Sequence, residues 1–272
     1  MTVCLIHGIV DNWSRASLAH RLYVPREAMV AHLRNRAAPY GRWQRDWHEC
    51  DVLTVDDATG AGAAACLLAR RLGHEVIFFI NPLDVISGQR SFWSFLDAAI
   101  DGRTVQDVTY ENESFDLNRL QEVRRLRRFV KQRLRSQSVE VAHAAVQDVV
   151  HLLGAEDSRP PAFTYPVSLP ELRELRDAGV RIESHGWSHV EICPLSPPEL
   201  AEHIERPRHW LRQELAVDAH LYAVPFGESE VPSESRHLLA DGYFLADGAR
   251  PLGPLSPGCW NRLDLTGTLQ DS

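Results

Sequence analysis

Two histidines four residues apart, His185 and His189, form a pair whose spacing could hold a metal ion. On a helical turn this spacing places both imidazoles on one side, close enough to share one ion. The sequence contains 13 histidines, however, and a spacing of four also arises by chance. The alternative to a metal site is therefore a pair of surface histidines.

A pair of acids, Asp56-Asp57, directly follows the apolar run 52–55 and could complete such a site. Acids often end strands without any further role, so this pair alone is weak evidence. Two neutral imidazoles and one carboxylate are nevertheless a common ligand set for zinc, and they leave positions open for water and for a substrate carbonyl. We therefore predict one divalent metal, with zinc as the default and Co, Ni, Fe or Mn as ions that the same ligands accept.

Strands and helices alternate along most of the chain. Seven short segments are predicted as strands, at Val3–Ile6, Val52–Val55, Val76–Ile80, Val180–Glu183, Leu221–Val224, Tyr243–Ala246 and Arg262–Leu265. This alternation predicts a parallel sheet with right-handed crossovers. Residues 92–154 lack a strand-like run and predict a helical insertion. No Gly/Ser-rich linker interrupts the chain, so residues 1–272 are predicted to form one barrel-like α/β domain.

Polar residues follow three of the predicted strands at the point where each strand ends. These are Asp56-Asp57, His185 and the segment Pro225-Phe226-Gly227. The carboxyl ends of parallel strands form the reacting face of barrels and open sheets. We therefore expect the three segments to lie together at the carboxyl edge of the sheet, although they are far apart in sequence.

Composition and charge exclude several classes of protein. The formal net charge is −8 and only one segment is basic, which argues against a nucleic-acid-binding protein. The N-terminal residues lack the pattern of a secretory signal, and no apolar stretch approaches the ~20 residues that span a bilayer. The five cysteines are scattered, as expected for reduced thiols. These features predict a cytoplasmic protein without a membrane span, and they leave the oligomeric state open.

Three segments together resemble the polysaccharide deacetylase family (NodB-homology domains). Thr54–Asp57, followed by a small residue, is similar to the family's T-F-D-D-G signature, and His185–His189 is similar to its H-(S/T)-x-x-H motif. Tyr222–Gly227 resembles the F-A-Y-P-F-G form of the third motif, which points to an intracellular branch with a Y-P-F-G-like sequence. The resemblance implies a distorted (β/α)7-type barrel of the polysaccharide deacetylase kind.

The resemblance also implies a role for each matching residue. Asp57, His185 and His189 would be the metal ligands, and Asp56 would be the general base that takes a proton from the attacking water. The turn formed by Pro225, Phe226 and Gly227 would contact the substrate, with the backbone N–H of Phe226 donating to the oxyanion. Pro-x-Gly is also an ordinary way to end a strand, which is the structural alternative for this turn.

The sequence departs from the family pattern around the catalytic acid and base. Ala58 replaces the glycine after the acid pair, and Ala223 stands where secreted members often have an arginine. The usual C-terminal L-x-H histidine, which protonates the leaving amine, is absent. His7, at the end of the first predicted strand, could replace it, and the alternative is that this histidine has only a structural role. Asp264 and Asp247 are weaker candidates for the acid, and Arg262 could bind a substrate group or tune Asp56.

Two further features could contact a substrate. Trp187 lies inside the histidine motif and is predicted to line the pocket as a sugar-stacking residue. The Arg-rich stretch 124–131 could hold a substrate phosphate, and the alternative is a solvated helix face.

The predicted function is that of a metal-dependent amide hydrolase, an N-deacetylase. Its substrate would be an amino sugar or a sugar-containing small molecule or glycan that carries an N-acyl group. Two alternatives remain at this point. The same metal site could hydrolyse another amide, such as a formamide or a cyclic imide. Alternatively, the chain could be a catalytically silent relative that binds a glycan or a protein partner.

Overall fold

A computed structural model of the protein describes residues 1–43, 50–239 and 242–271. The strands are β1 (Val3–Ile6), β2 (Ile9–Val10), β3 (Val24–Pro25), β4 (Val52–Val55), β5 (Ile77–Ile80), β6 (Asp107–Tyr110), β7 (Glu113–Asp116), β8 (Arg181–Ser184), β9 (Leu221–Ala223), β10 (Gly242–Leu245), β11 (Gly253–Ser256), β12 (Cys259–Asn261) and β13 (Leu263–Asp264). The helices are α1 (Arg26–Arg34), α2 (Gly60–Arg71), α3 (Pro82–Ser87), α4 (Phe92–Asp101), α5 (Leu120–Leu134), α6 (Val139–Leu152), α7 (Leu169–Asp177), α8 (Pro197–Leu215) and α9 (Thr266–Gln270). Short 3-10 helices cover Leu18–His20, Ala162–Thr164 and Ser233–Leu238.

The central sheet has the order β11-β12-β10-β9-β8-β5-β4-β1-β13 among the described residues. Its neighbours pair in parallel, except that β11 is antiparallel to β12. Only Arg262 separates β12 from β13 in the chain, yet β12 pairs with β10 and β13 with β1. The two sides of the sheet therefore meet through one continuous stretch of chain, as in a distorted barrel.

The apolar residues of the strands form both faces of this sheet. Val3, Phe79, Phe244 and Trp260, from four different strands, belong to one buried cluster, as expected for a sheet that curls around a shared interior. The opposite faces of β1, β4 and β5 pack against helices α1, α2, α7 and α8 in a larger cluster. This two-sided burial explains why the strands are continuous apolar runs and not alternating ones. The α/β fold predicted from those runs is confirmed.

Helix α8 shows how local sequence sets the ends of these elements. Ser196 and Glu199 form a capping box, in which the Ser196 N–H donates to Glu199 Oε2 at 2.8 Å. Pro197 and Pro198 occupy the first helical positions, where a missing N–H costs nothing. The local sequence therefore fixes where α8 begins.

The insertion at 92–154 is more varied than the predicted helical segment. It contains α4, α5 and α6 around a buried cluster of its own, and also a β-hairpin formed by β6 and β7. Glu111 and Asn112 form the hairpin turn with positive φ angles of 48° and 67°, which suits a tight two-residue hairpin turn. The insertion was predicted as helical only, so the hairpin is a correction. The assignment of residues 1–272 to a single domain stays a prediction.

Candidate metal centre

Asp57, His185 and His189 come together at the carboxyl ends of β4 and β8. One ligand atom from each lies within 4.8 Å of the other two, and within the described ranges no other trio of His, Cys, Asp or Glu has this arrangement. The Nε2 atoms of both histidines lie 3.5 Å from Asp57 Oδ1. The structure therefore brings the three predicted ligands to one point.

The loop that carries the two histidines is irregular and not the helical turn suggested by their spacing. Residues 185–190 form bends, and Gly186 has a φ of +84°. A Cβ at this glycine would lie 2.1 Å from His203 Nε2, so only glycine fits against α8 here. The two imidazole rings are nevertheless 5.1 Å apart, because the bend brings His189 back towards His185.

His185 is held in the tautomer that a metal ligand needs. Its Nδ1 lies 2.9 Å from the carbonyl oxygen of Ala223, so the Nδ1–H donates there and the lone pair on Nε2 faces Asp57. Burial lowers the pKa of His185, but Asp56 and Asp57 outweigh burial and raise it overall. An ion bound at Nε2 replaces the proton that these carboxylates favour.

His189 is neutral at pH 7 and is ready to bind an ion. Burial is the largest effect and lowers the pKa of His189 to about 4, although Asp57 opposes it. The Phe226 ring packs edge-on against this imidazole, with 4.6 Å between the ring centroids. The neutral His189, the oriented His185 and the Asp57 carboxylate together fit a divalent cation such as zinc.

Asp56 lies beside the metal ligands and is paired with Arg262. Arg262 donates two parallel hydrogen bonds of 2.7 Å to the Asp56 carboxylate, and both residues are buried. Burial raises the pKa of Asp56, but Arg262 outweighs burial and lowers it overall. Asp56 Oδ2 is 4.0 Å from His185 Nε2, so a charged carboxylate stands next to the ion site.

Arg262 tunes Asp56 and does not fit the other predicted role, which was to bind a substrate group. Its three guanidinium nitrogens all donate within the protein, to Asp56, Thr54 Oγ1 and the carbonyl oxygen of Leu245. Arg262, which lies between β12 and β13, thus fixes the orientation of the Asp56 carboxylate. Ala223, at the position where the resemblance led us to note a missing arginine, lies on β9, whereas the guanidinium beside Asp56 comes from the residue between β12 and β13.

The turn after β9 lines the cavity and contains a backbone N–H without a hydrogen-bond partner in the described residues. Phe226 and Gly227 have positive φ angles of 64° and 69°, and the Gly227 N–H donates to the carbonyl oxygen of Val224 at 2.9 Å. No hydrogen bond in the described part of the chain uses the Phe226 N–H. Phe226 and Gly227 line the cavity, whereas Pro225 is buried behind them, so the predicted contact of Pro225 with a substrate is not supported.

We expect Gly227→Ala to destabilise the protein by about 2–3 kcal/mol, from strain at positive φ and from overpacking. The new Cβ would lie 2.6 Å from the backbone nitrogen of Ala246. Urea unfolding measures the effect. Gly248→Ala is the matched control, because a Cβ there meets no atom within 4 Å. Equal stability of the two variants would show that the turn tolerates a side chain.

A cavity of about 360 Å³ opens over the ion site. His7 lines it, and its Nδ1 is buried without a hydrogen-bond partner in the described residues. Trp187, by contrast, lies outside this cavity with the Arg206 guanidinium stacked 3.7 Å from its ring centroid. The prediction that Trp187 lines the pocket is therefore wrong. Trp93 lines it instead, edge-on to Phe226 at 6.0 Å.

Sequence reasoning missed several cavity residues, including Asp84 and Asp97. Burial and the charge of Asp57 raise the pKa of Asp84 to about 7. Asp84 follows β5 by four residues, so the rule that located Asp56 and His185 could have found it. Asp97 comes from the insertion, in which only the stretch 124–131 had been linked to the substrate. Lys131, at the end of that stretch, lines the cavity as well.

Comparisons with known proteins agree with this architecture. The family model described as polysaccharide deacetylase matches residues 143–240. The fold is similar to the structure of IcaB from Ammonifex degensii, with 15% identity, a TM-score of 0.54, and 99% of this chain and 96% of that chain covered. It is also similar to the Streptococcus pyogenes deacetylase PplD in complex with acetate, with 10% identity, a TM-score of 0.51, and 97% and 91% covered.

A third similar fold is that of a de-N-acetylase from Aggregatibacter actinomycetemcomitans, with 14% identity, a TM-score of 0.52, and 96% and 93% of the two chains covered. No curated protein matches the sequence. The family model and the shared fold confirm the predicted resemblance to the polysaccharide deacetylase family. Among the described helices, none is both long and apolar enough to cross a membrane.

Proposed function

We propose that this protein is a metal-dependent hydrolase that removes an N-acyl group, with N-acetyl as the first expectation, from an amino sugar or a sugar-containing small molecule. The observation that carries the proposal is the group Asp57, His185 and His189 with the charged Asp56 beside it, at the floor of one cavity. A family of carbohydrate de-N-acetylases supports the same reaction class. A site that only binds a ligand has no need of a base next to an ion site.

The chain's own residues can perform each step of amide hydrolysis. Asp57, His185 and His189 would hold a divalent ion, which would act as a Lewis acid towards the acyl oxygen and would lower the pKa of the attacking water. Asp56 accepts the proton of the attacking water at a carboxylate oxygen, and Arg262 keeps that carboxylate oriented. The free Phe226 N–H donates to the oxyanion that develops on the acyl carbon.

The leaving amine needs a proton, and we assign its donation to His7. It is the only histidine on the described cavity wall besides the two ligands. It follows β1 directly, at the same carboxyl edge of the sheet as Asp57 and His185. His7 thereby takes the position in the reaction that the family usually gives to a C-terminal histidine.

We expect His7→Gln to lower kcat by about 10²–10⁴ while the metal content stays unchanged, because general acid catalysis has this magnitude. The loss should be much smaller for an N-acetyl aryl amine whose leaving group needs little protonation. Comparing kcat on an alkyl amide and an aryl amide measures this difference. His237→Gln, an exposed histidine outside the cavity, is the control. A similar loss on both amides would show that His7 does not protonate the amine.

Product release from a substrate panel tests the proposed function. The panel contains N-acetylglucosamine, its tetramer, an N-formyl analogue and a cyclic imide, incubated with zinc-loaded protein and with chelated protein. We expect release of acetate from an acetylated sugar by the loaded protein alone. Turnover of only the formamide or the imide would move the substrate class to another amide. No turnover by zinc-loaded protein that retains its ion would favour the silent binder.

A further inference from the structure

A second cavity, of about 660 Å³, lies between helix α5 and the 3-10 helix at Leu18–His20. It adjoins the cavity over the ion site, which we call the metal-side cavity. We call the second cavity the basic hollow. Its charged wall consists of the cations Arg15, Arg21, Arg124, Arg127, Arg128, Lys131 and Arg135 and the acids Glu228 and Asp271. This concentration of positive charge is the reverse of the chain as a whole, whose formal net charge is −8.

Part of this positive charge is already neutralised within the protein. Arg15 pairs with Asp271, and Arg127 forms a buried pair with Asp97. Arg135 pairs with Glu191 and Glu228. The acids near the hollow are therefore used by these three arginines.

Four cations remain without an ion-pair partner in the described part of the chain: Arg21, Arg124, Arg128 and Lys131. On α5, residues 124, 128 and 131 have the spacing that places side chains on one face of a helix. Arg124 and Arg128 are exposed at the hollow, whereas Lys131 is partly buried. The unpaired charges thus face one shared space.

The inner part of this cluster is electrostatically unfavourable as it stands. Burial, followed by the charges of Arg127 and Arg21, lowers the pKa of Lys131 to about 8. Burial and Arg127 likewise lower the pKa of Arg21 to about 10. Nearby acids oppose these shifts but do not cancel them. An anion that binds between Arg21 and Lys131 would therefore stabilise their charged forms.

The basic hollow is continuous with the metal-side cavity. Arg21, Arg127 and Lys131 line both spaces, and Lys131 Nζ lies 4.9 Å from the centroid of the Phe226 ring. Phe226 in turn packs on the metal ligand His189. A single small molecule can therefore place one group over the ion site and another in the hollow.

We propose that the basic hollow binds a phosphate group carried by the substrate, so that the substrate is a phosphorylated N-acyl amino sugar. This inference rests on the proposed function, which it narrows to one chemical class. Four unpaired cations suit a multiply charged phosphate better than a single carboxylate, and guanidinium groups bind phosphate in a bidentate way. A nucleic acid is disfavoured because the positive charge is confined to one hollow of a chain that is acidic overall.

Lys131 is the only lysine in the sequence, which allows binding to be measured at the hollow itself. Reductive methylation of the zinc-loaded protein, followed by mass spectrometry, gives the labelling rate of Lys131, with the α-amino group as internal reference. Inorganic phosphate is the probe. At about ten times its Kd we expect labelling to slow about tenfold, since protection follows 1 + [L]/Kd. Acetate at the same concentration should protect much less.

Three variants distinguish phosphate bound in the basic hollow from phosphate bound at the ion site. Protection by phosphate should be lost in Arg124→Gln/Arg128→Gln and kept in Arg119→Gln/Arg133→Gln, which removes two charges from the same helix region outside the hollow. It should also persist in Asp57→Asn, which lacks the ion. Equal protection in all arginine variants, protection that requires Asp57, or no protection at all would overturn the proposal. So would equal protection by acetate, or stronger protection by a single-stranded oligonucleotide.

Steady-state kinetics on two sugars provide a second test, which requires that the protein is active. The measured quantity is the ratio of kcat/KM for N-acetylglucosamine 1-phosphate to kcat/KM for N-acetylglucosamine. This ratio should fall about ten- to a hundredfold in Arg124→Gln/Arg128→Gln, because the loss of charged hydrogen bonds has this magnitude. The ratio should be unchanged in Arg119→Gln/Arg133→Gln. An unchanged ratio in the first variant would overturn the proposal. If neither sugar released acetate, the proposed function would fail for these compounds while the labelling result would still decide whether the hollow binds phosphate.

Discussion

Asp57→Asn is expected to purify with less than about a tenth of an equivalent of metal, against about one equivalent for the unaltered protein. Asp57 Oδ1 lies 3.5 Å from both histidine Nε2 atoms, so its charge is central to the ion site. Removing the one anionic ligand leaves two neutral imidazoles, which hold a divalent ion far less tightly. Elemental analysis of untagged protein measures the change, and turnover should fall with the metal content.

Asparagine is preferred to alanine in this experiment because of the backbone. Asp57 has a φ of 61°, and asparagine tolerates this left-handed conformation better than alanine does. Asp57→Asn therefore removes the charge without adding much strain. Asp264→Asn, at an exposed position of the same cavity wall, is the control and should keep its metal. A full equivalent of metal in Asp57→Asn would remove Asp57 from the ligand set.

Asp56→Asn should keep the metal, and its kcat should fall by a factor of about 10²–10⁴. The reason is that an amide cannot accept the proton that a positioned base accepts. The same change should lower the free energy of unfolding by about 3–5 kcal/mol, since it breaks a buried ion pair and leaves the Arg262 charge without its partner. Metal analysis, steady-state kinetics and urea unfolding of one preparation separate these effects. A rate near that of the unaltered protein would show that Asp56 is not the base.

A second variant distinguishes lost chemistry from lost stability. Asp56→Asn/Arg262→Gln removes both buried charges, so no unpaired charge remains and most of the stability should return. The turnover should not return, because the base is still missing. Recovery of turnover together with stability would mean that Asp56 acts only by supporting the fold around the site.

The parts of the fold that could be predicted from sequence are those set by burial on both sides of a sheet. Strands such as Val3–Ile6 and Val52–Val55 are continuous apolar runs, because helices cover one face and the barrel interior covers the other. Residues placed directly after such strands, including Asp57 and His185, could then be assigned to one edge. The structure places them together.

The features that sequence reasoning missed depend on chain direction in loops and on contacts between distant segments. Trp187 lies two residues from each metal-ligand histidine, yet the bend at Gly186 places it outside the cavity and under Arg206. The partner of Asp56 is 206 residues away, so the pairing of Arg262 with this base appears only when the sheet closes. The hairpin of β6 and β7 was missed because each strand has only four residues and buries only one of them, Val108 in β6 and Phe115 in β7.

Anomalous diffraction at the zinc edge, from crystals of untagged protein loaded with zinc, tests the central claim most directly. We expect one strong peak within about 2.0–2.2 Å of Nε2 of His185, Nε2 of His189 and a carboxylate oxygen of Asp57, the usual ligand distances for zinc. Such a peak would establish the ion site on which the proposed hydrolysis depends. A fully loaded crystal with its peak elsewhere, or with no peak between these three residues, would contradict the account.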